Sequence, residues 1–337
     1  MYSNRLIFKT SLNDELYFLK DTILIKFGVK RNGISTSELN GGTHDIYDSV
    51  FNQHLSQDKI DYLENHDICE YLINECENFN IDSNHSTALI TLARMENVSI
   101  VTKRFKSLEV TAISTAGVRS NAACAGDPAS YYEESGEFKF GTINVIILIN
   151  AHLKKDVLTH ALMTLVEAKT VALNNLKIPS QYSNSYATGT GTDGACIFSN
   201  TESNNNLTNA DKHSKLGELI AKSTIESIQK AISKQVGITK KSQSNVLVRL
   251  NRYKLDINKF YDNLDEDKLE FIKQVKIDSK KQENVAVTTS ILNLIDEMNL
   301  NLINENEAYD LAFEILKKCN SYPIKKLLEY WITSFIR

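Results

Sequence analysis

The chain has 337 residues, 42% hydrophobic and 24% charged, an ordinary globular composition long enough for one large domain or two. A formal net charge of −4 leaves no basic footprint for nucleic acid, and no apolar run approaches the ~18 residues of a membrane span. Five scattered cysteines without CxxC spacing argue against a zinc ribbon or a redox pair and for a reducing, cytoplasmic setting.

In chain order, the N-terminal stretch with Arg5, Lys9, Asp14 and Glu15 lacks the apolar core of a signal peptide. Residues 22–27 are β-rich, and Arg31-Asn32-Gly33 after them reads as a hairpin turn. Gly41-Gly42 opens a polar segment, and Ile68, Leu72 and Ile73 suggest one amphipathic helix over residues 61–77. Residues 109–115 form a short strand candidate running into Ala116-Gly117. The β-branched run 143–149 has the composition of a strand covered on both faces.

Leu158, Leu162, Leu165, Ala168 and Leu173 recur at helical spacing within residues 156–176, as do Leu216, Ile220, Ile228, Ala231 and Ile232 within 215–236. Between these helices lie a glycine- and threonine-rich loop, a small strand at 195–198, and an Asn-rich stretch, 199–210, expected to be a mobile surface loop. Residues 237–245 read as a linker. Beyond it, helical periodicity appears at 290–302 and 308–328, with Pro323 expected to end or kink the last helix. The predicted architecture is α/β, a mixed sheet with flanking helices over residues 1–236, plus a mostly helical C-terminal appendage over 237–337.

The most unusual chemistry is Ala187-Thr188-Gly189-Thr190-Gly191-Thr192-Asp193. Its glycines allow close backbone approach and positive φ, its threonines supply hydroxyls, and Asp193 adds a carboxylate. It lacks the GK[ST] ending of a Walker loop and the spacing of a dinucleotide fingerprint. The alternative is a polar turn. A second glycine-punctuated segment, 115–129, follows a strand; Gly117 permits close approach, Arg119 and Asn121 could bind polar ligand groups, and Asp127 either positions a nucleophile or starts a turn. Thr142 and Asn144 enter the apolar strand, where Asn144 needs a partner, in the core or on a ligand.

Glu167 and Lys169 are two apart on the first long helix, so one of them sits nearer the buried stripe; a solvent-facing pair is the plain alternative. His213 precedes the second long helix, where the macrodipole disfavours its cation and a neutral ring could act as a base. Ser214 reads as the helix cap, with Glu218 one position beyond capping-box spacing. No HExxH, HxH or GxSxG pattern occurs, so no metal ligand set and no serine elbow is expected. Asp211-x-His213 with Gly217 is one residue too long for the D-x-H-x-x-G signature of cobalt ligation.

The ordered series TAGVRSNAACAGDPA, GTINVIILIN, EAKT, ATGTGTD and HSKLGELI resembles the adenosylcobinamide amidohydrolase family of corrinoid salvage, over residues 40–232. The resemblance implies cleavage of the amide that joins a corrin propionyl side chain to aminopropanol, releasing adenosylcobyric acid for coenzyme B12 synthesis. Members share residues here occupied by Gly117, Asn121, Gly126, Asp127, 141–144, 167–170, 188–193, His213, Gly217 and Glu218. Ala123 and Cys124 stand where relatives often carry basic residues, and Val166 where they often carry threonine.

The expectation is therefore a hydrolase whose Thr188, Gly189, Thr190, Gly191 and Thr192 bind substrate, with the 189–192 backbone N–H groups, or threonine hydroxyls, as the oxyanion site. Asp193 or Glu218, with His213, would move protons; Lys169 would stabilise developing charge if it points inward, and Glu167 is a further catalytic candidate; Gly117, Arg119, Asn121, Asp127, Thr142 and Asn144 would bind substrate. A corrinoid is the expected substrate and small-molecule partner, no further cofactor is identified, and a homo-oligomer is compatible with the sequence. The rival readings are a non-catalytic corrinoid-binding or regulatory module and an unrelated nucleotide-binding loop.

Overall fold

The computed structural model describes residues 5–335 apart from 130, 133–134, 137–141, 255, 263 and 265–266; Gly141 of the GTIN motif lies outside them. The chain divides into two compact units, Met1–Thr239 and Lys240–Arg337.

The first unit carries β1 (Arg5–Lys9), β2 (Glu15–Leu19), β3 (Thr22–Ser35), β4 (Gly42–His54), α1 (Gln57–Leu63), α2 (Ile68–Asn78), β5 (Ser86–Thr91), β6 (Ser99–Phe105) and β7 (Leu108–Ala116). Short strands β8 (Ala122–Ala123), β9 (Tyr131–Tyr132) and β10 (Ser135–Gly136) lead to β11 (Ile143–Ile149), β12 (His152–Leu153) and α3 (Lys155–Asn175). Then come β13 (Gly189–Thr190), β14 (Gly194–Asn200), β15 (Asn206–Leu207) and α4 (Lys215–Val236).

The main sheet runs β1-β2-β3-β14-β11-β7-β6, with β4 also paired to β3 and β5 to β4. It is mixed: β11 with β14 and β4 with β5 are parallel, and the remaining pairs are antiparallel. Side-chain alternation splits its centre into two cores. Val145, Ile147, Ala195 and Ile197 face α3 and α4, while Ile146, Leu148, Cys196 and Phe198 pack with Leu16, Ile23, Ile25 and Tyr47. β11 is thus covered on both faces, as its composition predicts.

Four local expectations are corrected. Arg31-Asn32-Gly33 is not a turn but the middle of β3, opposite β14 and β4. Gly33 is needed there because a Cβ would come within 2.6 Å of both the Ile197 carbonyl and the Phe198 ring. Arg31 is buried and forks onto Asp14, Nη2 to Oδ2 at 2.6 Å, with Nη1 donating to the Ile149 carbonyl at 2.9 Å. Residues 61–77 form two helices, because Asp67 starts a new one by accepting from Glu70 N at 2.9 Å. The stretch 199–210 lies at the surface over 201–209 as expected, but it is pinned at its ends by buried Ser199, Asn200 and Ala210 and in its middle by β15, which pairs in parallel with β12.

The fourth correction concerns the second unit, α5 (Val246–Leu250), α6 (Ile257–Asp262), α7 (Lys268–Asp278), α8 (Gln282–Asn299), α9 (Glu305–Leu316) and α10 (Tyr322–Phe335). The periodic run 308–328 is interrupted between α9 and α10, and Pro323 opens α10 rather than ending it. A first-turn proline gives up no intrahelical bond. Among the described residues no helix is long and apolar enough to cross a membrane.

Candidate active site

The threonine-glycine loop is stitched to the 117–127 segment by a short antiparallel ladder, Gly189 opposite Ala123 and Thr190 opposite Ala122. Thr188 extends it, its N–H donating to the Ala123 carbonyl at 2.9 Å and its Oγ1 accepting from Ala125 N at 2.8 Å. The loop then folds around its own carboxylate. Asp193 Oδ1 accepts from Thr190 Oγ1 at 2.6 Å and from Ile143 N at 3.1 Å; Oδ2 accepts from Thr190 N at 3.0 Å and pairs with Lys169 Nζ. Lys169 and Asp193 are only 14% and 13% exposed, so the pair is largely screened from bulk water.

The loop glycines serve close approach, not positive φ. A Cβ at Gly189 would sit 2.3 Å from Asp193 Oδ2 and 2.9 Å from Lys169 Nζ. One at Gly191 would sit 2.6 Å from Asn121 Nδ2, while Asn121 Oδ1 accepts from the Tyr182 hydroxyl at 2.8 Å. Positive φ occurs instead at Gly42, Gly126 and Gly237.

Beside this loop lies a cavity of about 260 Å³ whose wall includes Thr142, Asn144, Thr192, Asp193 and Gly194. Thr142 and Thr192 share a hydroxyl–hydroxyl bond of 3.0 Å. Another part of the wall is one that sequence reasoning missed: Thr36, Ser37 and Glu38 after β3, apolar Leu55 just past β4, and Ile68 and Leu72 of α2. The only signal was the mostly polar run 36–40 between β3 and Gly41-Gly42. A larger open cavity of about 770 Å³ lies between the β2–β3 hairpin and α2, but none of the motif residues lines it.

The other predicted residues are dispersed. Glu167 pairs with Lys212 at 2.6 Å on the surface, so Lys169 alone turns inward from that helix. His213 is exposed ahead of α4 and takes no part in the bonds that organise Asp193. Ser214 caps α4 as expected, accepting from Gly217 N at 2.9 Å. Gly217 is required because a Cβ would lie 2.1 Å from the Asp211 carbonyl. Glu218 binds Lys215 and, at 2.7 Å, Lys222, which hold its carboxyl down at about 2. Arg119 donates to the Val236 carbonyl at 3.1 Å, and Asp127 accepts from Cys124 N at 2.7 Å and from Ser180 Oγ. Among the described residues no cluster of His, Cys, Asp and Glu is arranged to hold a metal ion.

The model of the adenosylcobinamide amidohydrolase family (CbiZ) matches residues 7–240. The chain belongs to this family. An uncharacterized protein of Methanocaldococcus jannaschii is 31% identical over 229 residues, which are 64% of this chain and 86% of that one. The crystal structure of the PH0078 protein from Pyrococcus horikoshii OT3 covers 69% of this chain and 83% of its own, at 12% identity and a TM-score of 0.31. A Burkholderia sp. beta-aminopeptidase gives the same coverage and identity with a TM-score of 0.30. Likenesses this distant carry no argument about the reaction. The whole lining of the 260 Å³ cavity falls inside the amidohydrolase match, whereas all but the first residue of the helical unit falls outside it.

Proposed function

We propose that the protein is an amidohydrolase that adds water across the amide between a corrin propionyl side chain and aminopropanol, releasing adenosylcobyric acid and the amine. The observation that carries this reading is the convergence on one cavity of motif segments far apart in sequence, Thr142 and Asn144 with Thr192 and Asp193, in a chain of this family. Ligand sites commonly enclose about 300–1,000 Å³. At about 260 Å³ the cavity suits the amide arm, with the macrocycle left outside its mouth.

Amide hydrolysis needs an activated water, donors for the oxyanion and a proton for the departing nitrogen. Both oxygens of Asp193 already accept hydrogen bonds, so we assign it the role of holding the loop and Lys169 in place. Glu38, the other carboxylate of the cavity wall, takes the proton from water and returns it to the amine. The Thr142–Thr192 hydroxyl pair supplies oxyanion donors.

Incubation with adenosylcobinamide and mass analysis of the products tests the reading. Adenosylcobyric acid and aminopropanol should appear in equal amounts, and Glu38→Gln and Asp193→Ala should each slow release roughly a hundredfold or more. Tight corrinoid binding without aminopropanol would favour the non-catalytic binding module instead.

A further inference from the structure

Asn144 is 1% exposed, at the start of β11, in the wall of the 260 Å³ cavity. Its Nδ2 donates to Asn52 Oδ1 at 2.8 Å and to the Ile90 carbonyl at 3.0 Å. Asn52 is committed in turn, its Nδ2 donating to Thr115 Oγ1 at 2.9 Å. A main-chain carbonyl can only accept, so the atom facing Ile90 must be the Asn144 nitrogen, and the orientation of the amide is settled by chemistry. That leaves Asn144 Oδ1 buried without a hydrogen-bond partner.

A buried acceptor with no donor costs stability, and a donor arriving with a ligand would recover that cost. Gly194, also in the cavity wall, is the residue that leaves this oxygen uncrowded: a Cβ there would lie 2.6 Å from it. Resting on the proposed amide hydrolysis, we infer that Asn144 Oδ1 accepts the N–H of the scissile amide. The site then recognises a secondary amide by its hydrogen, and Asn144 fixes which face of the amide carbon meets the Thr142–Thr192 hydroxyls. The competing occupants are the hydroxyl of the aminopropanol arm and an internal water.

The test uses the full-length protein and three small probes in binding titrations followed by NMR. These are N-(2-hydroxypropyl)propanamide, the ketone in which CH₂ replaces its NH, and N-propylpropanamide, which lacks the hydroxyl. Wild type should bind both amides roughly ten- to a hundredfold more tightly than the ketone. In Asn144→Leu that preference should vanish. Should the leucine variant not fold, the Asn144 carboxamide resonance of wild type should move with the amides and stay put with the ketone. Equal binding of amide and ketone, a preference that follows the hydroxyl, a preference that survives in Asn144→Leu, or no binding of any probe overturns the assignment. Aminopropanol release from adenosylcobinamide is scored separately. Release without an N–H preference removes the role of Asn144 and keeps the hydrolase; an N–H preference without release does the opposite.

Discussion

A residue's neighbours, more than its type, decide what it does at this site. Gly189 and Gly117 look alike in the sequence, yet a Cβ at Gly189 would strike Asp193 and Lys169, while one at Gly117 meets nothing within 4 Å. Gly189→Ala should therefore cost about 1–3 kcal/mol and lower amide turnover roughly a hundredfold. Gly117→Ala should leave both unchanged, and thermal melts with a product assay on the two variants would compare them. Glu218 gives a second prediction. Lys215 and Lys222 lower its carboxyl from the ordinary 4.5 to about 2. A depressed carboxylate contributes stability above its unfolded value and loses it as pH falls through the folded one. The small difference in melting temperature between wild type and Glu218→Gln should be full at pH 7, shrink between about 4.5 and about 2, and be weakened by salt. A difference that grows on acidification would contradict the pairing.

Elements are legible in the sequence where one face or one stripe decides them. The run 143–149 needs only its β-branched, almost wholly apolar character to be a strand, and 215–236 needs only its stripe, its Ser214 cap and its terminal Gly237. β3 defeats the same reading because Arg31, Asn32 and Gly33 are turn-like in type while each answers a distant partner: Asp14 and Ile149, Leu153 and Ser199, and Phe198. The Arg31–Asp14 pair is fully buried and tied to four further groups, Thr10, Gly28, Ile149 and the Phe27 ring. Breaking one half strands the other charge, so Arg31→Ala should destabilise the fold by about 3–5 kcal/mol in urea titration. A loss below about 1 kcal/mol would mean that the pair is solvated in the folded state.

At the scale of the whole chain, each hydrophobic core lies within one unit: three within Met1–Thr239 and the fourth within Lys240–Arg337. Units with their own cores should unfold separately. The one tryptophan, Trp331, is fully buried in the helical unit, so its fluorescence reports that unit alone. Fluorescence and β-sheet circular dichroism should give different midpoints, and the fragment 1–239 should keep the sheet signal and the amide turnover. Coincident transitions would show that the units unfold as one.

The sequence by itself determined the α/β class, the two long helices, the central buried strand and the order of motifs that marks the family. Each of these follows from short-range periodicity or from local wording. Only the tertiary structure decided which motif residues meet. Lys169 turns to Asp193 while Glu167 turns to the surface, and Thr142 reaches Thr192 across fifty positions of chain. Glu38 joins the cavity from a loop with no motif of its own, and His213 and Glu218 stay outside it. Register and close packing set such contacts, and both depend on the whole sheet being assembled, which no local pattern encodes.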